Sequence, residues 1–80
     1  MKRISDIPQS NKIGPRIKEA RQNAKLSQKA LSLKLELKGV YICRGSISRI
    51  ENGDRAVTDI EIEAISEVLG VTLDYLFSRD

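Results

Sequence analysis

Residues Ser46–Arg55 read S-I-S-R-I-E-N-G-D-R, and the way these ten residues distribute on a helix decides the fold. Ile47, Ile50 and Glu51 fall within about 100° of one another on a helical wheel, whereas Ser48, Arg49 and Asn52 point the opposite way. One face suits a core and the other suits contact with a ligand. Gly53 follows as a left-handed stop, so the helix is expected to end at Glu51 or Asn52.

Toward the N-terminus, Val40, Tyr41 and Ile42 lead into this helix from Gly39, which is well placed to end an earlier one. That earlier helix covers roughly residues 28–38, Q-K-A-L-S-L-K-L-E-L-K, with the Ser27 hydroxyl as its cap. Further back, Ile13, Ile17, Ala20 and Ala24 recur at helical spacing with Pro15 in the first turn, predicting a helix over roughly 13–23. Residues 1–11 carry Pro8 and no periodicity, and read as a flexible arm before a single domain over 12–78.

Toward the C-terminus, Thr58 and Glu61 have capping-box spacing, and Ile62, Ile65 and Leu69 form an inward stripe that closes at Gly70. Thr72 caps a last short helix, L-D-Y-L-F, with Leu73 and Leu76 as core candidates. The expectation is an all-α bundle of five short helices, without internal repeats or low-complexity tracts.

Composition agrees with one small domain. The chain has 80 residues, 40% hydrophobic but only 4% aromatic, so its core must be aliphatic, which suits layered helices better than a sheet. Cys43 is the single cysteine and histidine is absent, which removes intrachain disulfides, histidine metal sites and histidine acid–base chemistry. No catalytic residues, metal ligands or cofactors are expected. The start lacks an apolar signal core and no stretch approaches the roughly 20 apolar residues of a membrane span, so a cytoplasmic protein is expected.

The net charge of +3 hides a strong asymmetry. Residues 1–55 hold 13 Lys/Arg against 5 Asp/Glu, and residues 56–80 hold 1 against 6. If the first part forms one surface, it is an electrostatic footprint for a polyanion.

Four segments, R-I-K-E-A-R, L-S-Q-K-A-L, S-I-S-R-I-E-N-G and L-G-V-T-L-D-Y-L-F, occur in the order in which related segments occur in a known group. Between about Ile13 and Phe77 the chain resembles the phage repressor and Cro family, whose lambda-repressor-like bundle contains a helix-turn-helix. With the five expected helices numbered in chain order, the resemblance implies a regulator, expected to be a repressor, that places helix 3, the one containing Ser46–Glu51, in the major groove of double-stranded DNA. Arg44, Gly45, Ser46, Ser48 and Arg49 would then face base edges, with Arg49 foremost because arginine can bond guanine O6 and N7 together. Gln28 would anchor a phosphate from the start of helix 2, and Asn52 and Arg55 would meet the backbone after helix 3. Lys12, Lys25 and Lys29 are less specific additions.

The family also pairs the glutamate before N-G with an arginine late in helix 1, here Glu51 with Arg21. A buried carboxylate between inward isoleucines needs such a partner, because an unpaired buried charge is expensive. Two departures from the family stand out. About five extra residues lie between Leu35 and Ile42, predicting a lengthened helix 2 and turn, and Gly45 stands where many relatives carry a base-reading side chain. Cys43 occupies a cap position and reads as a small, partly buried thiol.

Val71, Tyr75 and Phe77 add an apolar surplus beside Leu73 and Leu76, predicting a homodimer on a near-palindromic operator. The rival function is a protein-interaction module of the same fold, an antitoxin or anti-regulator, using the acidic residues 56–80. Catalysis is disfavoured because neither Ser48 nor Cys43 has a histidine to activate it. Single-strand binding is disfavoured because only Tyr41, Tyr75 and Phe77 could stack on bases.

Overall fold

A computed structural model describes residues 10–79. Five helices make up its regular structure: α1 (Gly14–Asn23), α2 (Gln28–Leu37), α3 (Arg44–Glu51), α4 (Asp59–Leu69) and α5 (Leu73–Leu76). The helices pack around Ile13, Ile17, Leu31, Leu35, Ile42, Ile47, Ile50, Ile65 and Leu76, each no more than 2% exposed. No aromatic ring is buried among the described residues, and the core is aliphatic throughout.

Local chemistry starts and stops these helices. Ser27, Thr58 and Thr72 each accept a hydrogen bond from an amide of the first turn, and Thr58 with Glu61 completes a reciprocal capping box. Every helix ends in the same closure, in which two amides beyond the end turn back onto carbonyls of the last turn. For α2 these are Gly39 onto Glu36 and Val40 onto Leu35, and for α3 Gly53 onto Ile50 and Asp54 onto Arg49. The closure needs a left-handed residue, and Gly39, Gly53 and Gly70 supply it for three helices. Lys25 and Ser78 take the same conformation after α1 and α5, each at φ 59°.

The lengthened connection takes a definite form. α2 has ten residues, and 38–43 then run through the Gly39 turn into an extended segment before α3. Val40 N–H donates to the Leu35 carbonyl, the Ser32 hydroxyl donates to the Ile42 carbonyl at 2.6 Å, and Ile42 is buried.

Several expectations are corrected. Leu73 is 49% exposed rather than part of the core, because α5 turns only Leu76 fully inward. Ala24 is exposed at the end of α1, and Ile62 only half-buried. Cys43 is exposed because the extended segment commits its neighbour Ile42 to the core instead. Of the expected arm, residues 1–9 lie outside the described residues, whereas Ser10 and Asn11 are bound to the domain. Ser10 N–H donates to the Gly53 carbonyl, and Asn11 Nδ2 donates to the carbonyls of Ile50 and Arg55 at 3.0 and 2.8 Å.

Candidate nucleic-acid interface

The amphipathic pattern of α3 sets the site. Ile47, Ile50 and Glu51 are buried, Arg44, Gly45, Arg49 and Asn52 are exposed, and Ser46 and Ser48 are half-buried. Neither Arg44 nor Arg49 has an ion-pair partner among the described residues. Both guanidiniums therefore keep all their donors for a ligand.

Behind this exposed face lies a buried polar knot. Arg21 Nε donates to Glu51 Oε2 at 2.6 Å and one Nη to Oε1 at 3.1 Å, while the other Nη donates to the Leu26 carbonyl at 2.8 Å. Gln28 Nε2 adds a third donor to the carboxylate, at 3.1 Å from Oε1. The hydrogen bond to Glu51 is the main cause that raises the Arg21 pKa above its ordinary value. A bidentate, charge-assisted pair with its remaining valences filled is the one form in which such charges can be buried without large cost. The knot ties α1, the start of α2 and the end of α3 together.

Gln28 is thus bound inward through one N–H, and its second N–H is the donor it has left for an anion. Arg55 is also committed within the chain. It bonds Glu61 at 3.1 Å through each of two nitrogens and the Ala56 carbonyl at 3.0 Å. Glu61 also accepts from the Thr58 amide, and the Arg55 guanidinium is the main cause that holds its carboxyl below the usual range. A phosphate at Arg55 would use Nε and the remaining Nη2 proton, or displace Glu61. Lys12, Lys25, Lys29 and Asn52 are exposed.

The two ends of α3 differ. Cys43, the residue before its first turn, makes no cap hydrogen bond of good geometry, although the Ser46 and Gly45 amides face its sulfur. Its Sγ lies 3.4 Å from Ser46 Oγ, a contact that lowers the thiol pKa with help from those amides. Nothing lies within 4 Å of where a Cβ on Gly45 would stand, so the backbone there is open to close approach. At the other end, a Cβ on Gly14 would overlap the Ile50 carbonyl oxygen, so the start of α1 and the end of α3 meet backbone to backbone. Asn11 closes that junction, since its Oδ1 accepts from Gly14 N–H at 2.7 Å while its Nδ2 reaches Ile50 and Arg55. Sequence reasoning missed this residue. Its only signal was an asparagine three residues before the first helical amide.

Around α5, Tyr75 of the expected dimer residues is bound within the chain. Arg16 lies 4.6 Å from its ring centroid, and its hydroxyl donates to Glu19 at 2.7 Å. Val71 and Phe77 are half-buried against the core. The exposed apolar surface here is made by Ile60 and Leu73, at 68% and 49% exposure. Leu73, Phe77 and Ile62 line an open groove of about 290 Å³ flanked by Asp59 and Glu63. No helix among the described residues is long and apolar enough to cross a membrane, and no group of side chains there could hold a metal ion.

Comparison with known proteins agrees with the arrangement. The family model described as helix-turn-helix matches residues 17–76. The control protein C.MunI of Mycoplasma sp is 37% identical over 68 residues, covering 84% of this chain and 85% of that relative.

Proposed function

The chain belongs to the helix-turn-helix family of DNA-binding regulators, and from that premise we propose that it is a transcriptional repressor whose α3 reads the major groove. The observation that carries this reading is the division of α3 into a buried Ile47–Ile50–Glu51 face and an exposed face with two arginines that have no ion-pair partner among the described residues. Arg49 is the principal base-reading residue, supported by Arg44 and by the hydroxyls of Ser46 and Ser48, while Gly45 admits close approach of the backbone. Gln28, Asn52 and Arg55 anchor phosphates, and Lys12, Lys25 and Lys29 add long-range attraction. A control protein among its relatives supports a regulatory role.

Two copies associate through the α4–α5 side. Phe77 and Val71 contribute from its half-buried rim, with Leu73 and Ile60 as the exposed apolar contacts and Tyr75 at the edge. A two-fold axis there calls for a near-palindromic operator in cytoplasmic DNA.

The test is a titration of Arg49→Ala on DNA selected from a random pool by the parent protein, and on a scrambled duplex. Arg49→Ala should lose about 1–3 kcal/mol on the selected site and little on the scrambled one. Equal weakening on both would remove α3 as the reading helix and favour a protein-interaction role.

A further inference from the structure

The α2–α3 connection carries an apolar surface that the reading of α3 leaves unused. Tyr41 is 71% exposed and Leu33 is 54% exposed. Both line an open groove of about 420 Å³ between α2 and the first turn of α3, together with Lys29, Glu36 and Arg44. Tyr41 is also held in place. Its neighbours on either side are fixed by the Val40 amide on Leu35 and by Ser32 on the Ile42 carbonyl, so the ring projects from a braced extended segment.

We propose that Tyr41, with Leu33 beside it, is a second specificity-determining element, which packs against the 5-methyl group of a thymine next to the bases that α3 reads. This rests on the assignment of α3 as the reading helix. Two observations choose DNA as the occupant. The groove is continuous with the proposed interface, since Arg44 begins α3 and Lys29 lies in the first turn of α2. Lys29 and Arg44 also outweigh the single Glu36, so the groove as a whole attracts a polyanion. Glu36 disfavours a phosphate within the groove itself, which leaves a base edge as the group in contact. The thymine methyl is the apolar feature of the major groove, and aromatic and aliphatic side chains are what recognise it.

The experiment uses the full chain and the duplex it selects from a random pool, with each thymine of the half-site replaced in turn by uracil, which removes only the methyl group. The parent should lose about fourfold in affinity at one thymine beside the α3 contacts, the worth of one buried methyl. Tyr41→Ala should bind the unmodified duplex about tenfold more weakly and be indifferent to uracil at that position. Tyr41→Phe should keep the parent's sensitivity. A parent indifferent to uracil everywhere outside the Arg49 contact overturns the proposal, as does a Tyr41→Ala protein that binds like the parent. In the latter case the groove belongs to a protein partner. These results differ from failure of the underlying reading, in which the parent selects no sequence at all or Arg49→Ala leaves selection intact.

Discussion

The two ends of α3 are built on opposite principles. At its C-terminal end, Glu51 is held by Arg21 and Gln28, the Ile50 carbonyl receives Asn11 and Gly53, and Gly14 brings α1 into backbone contact. At its N-terminal end, Cys43 supplies no cap, Gly45 faces open space, and Arg44 has no ion-pair partner among the described residues. The helix is anchored from behind and left free in front. Substitutions at the anchored end should therefore act on stability, and those at the free end on what the helix binds.

The largest effect is expected from Glu51→Ala, which leaves Arg21 buried without its carboxylate. It should cost about 3–5 kcal/mol in a urea or thermal melt, and a variant that melts like the parent would dissolve the contrast between the ends. Gly14→Ala comes next. The added methyl meets a backbone oxygen that cannot swing aside, so a loss of at least about 2 kcal/mol is expected despite the better helix propensity of alanine.

A smaller loss, about 1 kcal/mol, should appear on acidification through Glu61. Its folded-state pKa is depressed by Arg55, so its contribution is complete above the unfolded value of about 4.3 and disappears as the pH falls through the lower folded value. Melting temperatures of the parent and of Glu61→Gln, followed from neutral pH to about pH 3, should converge as the acid form is reached. At the free end, Gly45→Ala and Cys43→Ser should each raise stability, by up to about 1 kcal/mol, through propensity and through capping. The same Gly→Ala change thus has opposite signs at Gly14 and Gly45. Equal signs would mean that the two ends are not distinct.

The parts of this arrangement that were legible in the sequence are those fixed by neighbours. Ser27, Thr58 and Thr72 cap helices through bonds three residues away, and the inward setting of Glu51 follows from its place beside Ile47 and Ile50. Gly39, Gly53 and Gly70 mark stops because glycine takes a left-handed conformation without cost from a Cβ. Lys25 and Ser78 do the same work without any compositional sign, since the surrounding hydrogen bonds impose a conformation that their own residue type does not prefer.

Contacts distant in sequence were the less legible part. Asn11 reaches partners 39 and 44 residues away, which no local pattern announces. Gln28 could be placed at the start of α2, but its bond to Glu51 depends on how α2 meets α3. Arg55 reads as a free cation until the Thr58–Glu61 capping box brings a carboxylate beside it. Leu73 fits an inward spacing, yet a helix of four residues can direct only one large side chain fully into the core. In the lengthened connection, extra residues could be counted but the bracing of Tyr41 could not be derived.

The shared closure at the five helix ends has a kinetic consequence. Each is made by residues no more than five apart, so a helix can acquire its end before it meets any other helix, at little cost in loop-closure entropy. The clasp of Asn11, by contrast, closes only across 39 and 44 residues, and it is expected to form after the helix ends. Removing that clasp should quicken unfolding and leave the rate of folding nearly unchanged, because a bond formed after the barrier is felt only on the way back.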